Sequence, residues 1–165
     1  TRELEKGTKN LLLIGMPGCG KTTVGRELAR RLGRELADTD ALVEEMAGCT
    51  IPELFAREGE EAFRRLEHQA LCRAGRESGL VIAAGGGIVT RPENRGPMRQ
   101  NSTVIFLRRP LDRLPTEGRP LSQAGDLKQM YERRLPLYRA AADLEADNSG
   151  AVEDTVSEII RRLEL

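Results

Sequence analysis

The run NLLLIGMPGCGKTTVGRELARRL, residues 10–32, constrains the fold of this chain more than any other stretch. Gly15, Gly20, Lys21 and Thr22 satisfy the G-x-x-x-x-G-K-[ST] phosphate loop, in which glycines let the backbone turn and approach an anion closely. Leu11 to Ile14 before the loop form an unbroken apolar run suited to a strand buried on both faces. Val24, Leu28 and Leu32 after it recur at helical spacing. Strand, glycine turn and helix in that order bring the N–H groups of Gly18, Cys19, Gly20, Lys21, Thr22 and Thr23 to a helix N-terminus, where they can surround a phosphate. Lys21 then serves as a mobile charge, and the Thr22 hydroxyl suits Mg²⁺.

Apolar runs of strand length continue to alternate with helical patterns, which predicts an α/β fold of three layers, a parallel sheet with helices on both faces. The strand candidates are 10–14, 34–37, 80–84, 103–107 and, more weakly patterned, 144–146. TIPE at 50–53 and TRPE at 90–93 read as helix starts in which Thr and Glu satisfy each other's exposed backbone donors. The GGG triplet, 85–87, follows LVIAA directly, at the carboxyl end of a strand, where such sheets bind ligands beside the phosphate loop. LPTEGRPLSQAGD, 114–126, lacks apolar periodicity and reads as a surface loop. We expect one domain spanning 1–165, with 1–8 as a flexible tail.

With 26 basic and 26 acidic residues in 165, the chain has no overall field to attract nucleic acid or an anionic membrane, so a small-molecule partner is expected. Cysteines 19, 49 and 72 have neither zinc-site spacing nor the density of a disulfide scaffold, which suits a reducing cytoplasm. No apolar run approaches about 18 residues, and the polar opening TRELEKGTKN is no signal sequence; a monomer in the cytoplasm is the expectation. The start at Thr1 suits a chain cut from a longer polypeptide.

The phosphate loop is shared by many nucleotide-binding proteins, so the acceptor side must decide between them. In ELADTD, an extended chain puts the carboxylates of Asp38 and Asp40 on one side, one suited to Mg²⁺ and the other to accepting a proton from a hydroxyl; a helix cap for ALVEEM is the alternative. Arg64 in EEAFRRLE could grip an anion or form ordinary surface pairs with Glu60 and Glu67. Arg119 in GRPL could fold over a transferring phosphate, and Arg139 ends RRLPLYR, where Pro136 breaks or kinks the helix. The planar guanidinium fork suits such roles. His68 reads as an ordinary, partly exposed side chain, and Tyr131 and Tyr138 as packing for the helix of Arg139.

The ordered set GMPGCGKTT, DTD, GEEAFRRLE, GGG, GRPL and PLYR resembles the shikimate kinases from about residue 9 to the C-terminus. The resemblance implies the nucleoside-monophosphate-kinase-like fold with a five-stranded parallel sheet and a short lid at 114–126. It also implies transfer of the ATP γ-phosphoryl group to the 3-hydroxyl of shikimate. By the same resemblance Lys21 and Thr22 hold phosphates and Mg²⁺, Asp38 assists the metal, and Asp40 binds the reacting hydroxyl and acts as base. Arg64 and Arg139 hold the shikimate carboxylate, Glu67 orients Arg64, Gly86 contacts substrate through its backbone, and Arg119 belongs to the mobile lid. The competing readings are another small hydroxy-acid kinase, such as a gluconate kinase, and a regulatory module with a residual kinase fold. GGG with PLYR argues against the first, and the intact Lys21, Asp40, Arg64, Arg119 and Arg139 against the second. The family's adenine-stacking arginine near the lid's start is replaced here by Leu114, Pro115 and Thr116, and the later adenine segment is shortened to ADNSGAVED, which predicts softened discrimination among nucleotide bases.

Overall fold

A computed structural model describes residues 8–114 and 121–165, and of 121–125 only the backbone; the tail 1–7, Pro115, Thr116 and Arg119 lie outside the described residues. Five parallel strands, β1 (Asn10–Ile14), β2 (Leu36–Asp38), β3 (Val81–Ala83), β4 (Ser102–Arg108) and β5 (Leu144–Asp147), form one sheet in the order β2-β3-β1-β4-β5. Every residue of β1 is buried, as a central strand covered on both faces demands. Leu12 pairs in register with Ile82 on one side and Val104 on the other, and all three are inaccessible to solvent. Burying a side chain of this kind contributes about 1.5–3 kcal/mol, so the centre of the sheet is the most stable platform available to the loops at its carboxyl edge.

The helices are α1 (Lys21–Leu32), α2 (Thr39–Ala47), α3 (Ile51–Gly75), α4 (Arg95–Gln100), α5 (Leu121–Ala141) and α6 (Val152–Leu163). Helix α1 packs against α6, and α4 packs against both α3 and α5. A smaller cluster of Val43, Leu54, Phe63 and Ala70 joins α2 to α3. Thr50 caps α3 by accepting from the Glu53 N–H, which is the threonine's half of the reciprocal TIPE pattern. Gly59, at φ 86° and ψ 178°, interrupts α3 with a backbone conformation that a side chain would strain, and splits the helix into two arms.

Three expectations are corrected by the backbone. TRPE does not cap a helix: Thr90 ends a 3₁₀ turn and its hydroxyl donates back to the Gly87 carbonyl at 2.6 Å, leaving Pro92 to open a second turn. The second half of the 114–126 loop is helical, because α5 begins at Leu121 and runs on through Pro136 to Ala141. Asp38 and Asp40 do not lie along an extended chain. Asp38 ends β2 and caps α2, accepting from the N–H groups of Asp40 at 2.8 Å and Ala41 at 3.4 Å, while Asp40 sits in the first helical turn.

Candidate active site

The carboxyl ends of β1, β2, β3 and β4 open into a cleft of about 610 Å³ that contains the phosphate loop, both aspartates, Arg64, Glu67 and the three glycines. At its phosphate-loop end, Gly15, Gly18 and Gly20 all take positive φ, and Gly20 stands at the N-cap of α1 with no side chain capping the helix. The first amides of α1 are thereby left for an anion, with the positive end of the helix dipole behind them. Lys21 Nζ meanwhile donates to the carbonyls of Gly15 at 2.8 Å and Met16 at 3.0 Å. The loop's geometry rests on a residue with no sequence signal. Buried Asn148 donates from Nδ2 to the Cys19 carbonyl at 2.8 Å, and accepts at Oδ1 from the Thr155 hydroxyl at 2.7 Å. A Cβ at Gly20 would lie 2.6 Å from Asn148 Nδ2, so glycine and asparagine require one another.

Thr22 and Asp38 meet where α1 and β2 face each other, with Oγ1 3.4 Å from Asp38 Oδ2. Asp38 thus caps α2 through Oδ1 and offers Oδ2 to the cleft. A hydroxyl and a carboxylate oxygen side by side fit Mg²⁺, a hard cation that takes few protein ligands beside water and phosphate. Among the described residues no group of three or more His, Cys, Asp or Glu is assembled for a metal.

The other end of the cleft is built from buried charge. Glu67 is fully buried and accepts from Arg64 Nη1 at 2.8 Å, so this pair is no surface decoration. Arg64 Nε and Glu67 Oε2 are also buried, and neither has a hydrogen-bond partner. The glycine triplet explains how such crowding is tolerated. A Cβ at Gly85 would stand 2.6 Å from Glu67 Oε2 and 2.9 Å from Asp40 Oδ1, one at Gly86 2.8 Å from Pro17, and one at Gly87 2.5 Å from Arg64 Nη2. Each glycine is therefore needed for space, and together they lay bare main chain between the two ends of the cleft. Thr39, wholly buried, fixes the triplet by accepting from the Gly85 N–H at 2.9 Å.

Burial raises the pKa of Asp40, helped by the charge of Asp38, while Lys21 pulls the other way. Burial raises Glu67 too, against the opposing hydrogen bond from Arg64. Both shifts reflect carboxylates held in a confined, partly dehydrated space.

Helix α5 closes the cleft with Met130 and Arg134, not with Arg139. Arg139 is exposed and its Nε donates to Glu145 at 3.0 Å, outside the cleft lining, so the sequence-based placement of Arg139 at the substrate is corrected. One helical turn after Arg134, buried Tyr138 stacks on Phe106 at 5.0 Å between ring centroids and donates its hydroxyl to the Gly86 carbonyl at 2.6 Å. Burial pushes its phenol up to about 12, opposed by the charge of nearby Arg134. Tyr138 therefore does more than pack. The spacing of Met130, Arg134 and Tyr138 by four residues marks one face of α5, and this is the signal that separates Arg134 from Arg139. His68 Nδ1 lies 2.7 Å from Asn94 Oδ1, and its ring is a structural link between α3 and the 3₁₀ turn at 92–94. Cys19, Cys49 and Cys72 are free thiols.

The shikimate kinase family profile matches residues 17–164. A shikimate kinase of Synechococcus sp. strain RCC307 is 45% identical over 161 residues, covering 92% of this chain and 82% of its own. One from Symbiobacterium thermophilum is 42% identical over 167 residues, covering 94% and 96%. Among solved structures, shikimate kinase from Acinetobacter baumannii in complex with shikimate superimposes with a TM-score of 0.89 at 35% identity over 99% of this chain and 97% of its own. That from Bacteroides thetaiotaomicron gives 0.87 at 30% identity, over 96% and 99%. With a family match across most of its length and relatives at 42% and 45% identity, the chain belongs to the shikimate kinase family and is a phosphotransferase that uses ATP to phosphorylate an alcohol group of shikimate.

Proposed function

We propose that the cleft divides this reaction between its two ends, with ATP on the phosphate loop and shikimate between Arg64, Arg134 and the glycine triplet. The observation that carries this reading is the position of Asp40. It stands in the first turn of α2, its Oδ1 against Gly85, on a path between Lys21 and the Arg64–Glu67 pair. A hydroxyl placed there reaches a carboxylate whose pKa burial has raised, and the loop lies beside it to receive the phosphoryl donor.

The loop amides and Lys21 bind and neutralise the phosphates, and Lys21 exchanges the carbonyls of Gly15 and Met16 for phosphoryl oxygens. Asp40 orients the 3-hydroxyl and accepts its proton as the oxygen attacks. Arg64, braced by Glu67, and Arg134, beside Tyr138, grip the shikimate carboxylate through their planar forks. Gly86 offers its main chain to the ring, with its carbonyl fixed by Tyr138. The family resemblance gives Arg119 the role of adding positive charge to the transferring phosphoryl group. Thr22 and Asp38 are the residues that would hold Mg²⁺, which when bound to the donor neutralises phosphate charge. We expect the protein to act on small molecules, as a monomer in the cytoplasm. No helix among the described residues is long and apolar enough to cross a membrane.

The test is a panel of acceptors with Mg·ATP, following ADP formation with shikimate, quinate, gluconate and no acceptor. Turnover with shikimate and its absence without acceptor are expected. A preference for gluconate, or ADP release independent of any acceptor, overturns the reading.

A further inference from the structure

Two adjacent arginines at the end of β4 behave differently. Arg108 turns outward and pairs with Glu145 at 3.4 Å. Arg109 turns into the cleft that holds Lys21 and Thr22, and its Nε is buried without a hydrogen-bond partner. Among the described residues no ion pair or hydrogen bond engages Arg109, whereas Arg64 in the same cleft has Glu67. Burying a guanidinium nitrogen with nothing to receive its proton costs free energy, and a bound anion removes that cost.

The backbone says which anion. Asn148, which holds the phosphate loop through the Cys19 carbonyl, also donates its own N–H to the carbonyl of Arg108 at 2.8 Å. The Leu107 carbonyl abuts Gly15 so closely that a Cβ there would come within 2.7 Å of it. The end of β4 and the phosphate loop are thus clamped into one unit, and Arg109 is the next residue beyond the clamp. The residues that grip the acceptor stand on α3 and α5 instead.

We propose that Arg109 is a phosphate-binding residue that grips the polyphosphate of the nucleotide donor from the end of β4. It rests on the cleft's being the nucleotide site described above. A planar fork held at a strand end is preorganised for phosphoryl oxygens.

The experiment is calorimetric titration of Mg·ADP, inorganic tripolyphosphate and shikimate, each separately, into the wild type, Arg109→Gln and Arg109→Lys, with circular dichroism as the check on folding. Arg109→Gln is expected to weaken ADP and tripolyphosphate binding about tenfold or more, the loss of a charged hydrogen bond, and to leave shikimate affinity within about twofold. Arg109→Lys, which keeps the charge and loses the fork, falls between. Should the glutamine variant fail to fold, the lysine variant decides, with an expected loss of about threefold or more. ADP and tripolyphosphate affinities unchanged in the folded variants overturn the proposal, and so does a loss confined to shikimate. Because ADP and tripolyphosphate bind without an acceptor, the result is readable even if the acceptor is not shikimate.

Discussion

The donor and acceptor ends of the cleft are made by different physics. The donor end is backbone: positive-φ glycines, free amides at the start of α1, and one asparagine that holds the loop by its carbonyl. The cation within the loop itself, Lys21, rests on main-chain oxygens. The acceptor end is side chain: a buried Arg64–Glu67 pair, Asp40 and Arg134, fitted around three glycines whose missing Cβ atoms leave the room. Amides cannot lose their dipoles, so the donor end should tolerate change in its surroundings and bind any triphosphate. Buried charges depend on every partner, so the acceptor end should be selective and fragile.

The largest break in this comparison is expected at Asp40, where the two ends meet. Asp40→Asn keeps size and loses the proton acceptor, so kcat should fall about 10²- to 10⁴-fold while KM for ATP stays within a few-fold. Its pKa is raised by burial, and the base works only when deprotonated. The wild-type kcat should therefore fall as pH drops through a value above the ordinary 3.8 of an aspartic acid, and Asp40→Asn should lose that acidic limb. A near-normal kcat in the variant would remove Asp40 from the base role.

Next in size is the choice between two arginines on one helix. Arg134→Lys should raise KM for shikimate about tenfold to a hundredfold, as a bidentate grip becomes a point charge, with KM for ATP unchanged. Arg139→Lys, whose parent is exposed and paired with Glu145, should leave both within about twofold. An effect at Arg139 that exceeds the one at Arg134 would restore the sequence-based placement. Smaller again is Tyr138→Phe, which deprives the Gly86 carbonyl of its 2.6 Å donor. That should cost about 1–3 kcal/mol. At about 2–4 °C per kcal/mol for a chain of this size, Tm should drop by several degrees, and KM for shikimate should rise more than KM for ATP. A fall in Tm with both KM values unchanged would reduce Tyr138 to packing.

The two ends also differ in how far they can be read from sequence. The phosphate loop is contiguous, and its function lies in backbone that GMPGCGKTT dictates residue by residue. The strands were legible for the same reason: β1 coincides with 10–14, and the others shift by no more than two residues at either end. Arg139 was misplaced because α5 carries arginines at 133, 134 and 139, and only the buried neighbours show which faces inward. Asn148 was invisible because its partners, Cys19 and Thr155, are joined to it by the fold alone. Thr90 misled because a hydroxyl that can cap the next helix can equally donate backward, and the crowded triplet supplied a carbonyl.

The smallest effect concerns the base, and it sharpens the comparison because it asks whether the donor end reads anything besides phosphate. Sequence places no arginine at 114–116, which argues for weak selection of adenine. The structure brings one close nonetheless: the Arg113 guanidinium donates to the carbonyl of Ser149, in the shortened ADNSG segment, next to the Asn148 that holds the phosphate loop. An arginine over a ring contributes about 0.5 kcal/mol when exposed and about 2 kcal/mol when the contact is desolvated, or about 2- to 30-fold. ATP should therefore be preferred to GTP by less than about a thousandfold in kcat/KM, with kcat nearly equal, because the triphosphate grip is common to both. Arg113→Ala should narrow that preference by about 2- to 30-fold and leave KM for shikimate alone. Steady-state kinetics with ATP, GTP and CTP at saturating shikimate measures both. A preference untouched by Arg113→Ala would mean that groups other than Arg113 read the base. One beyond a thousandfold would make it as selective as the acceptor end, and the contrast between the two would fail.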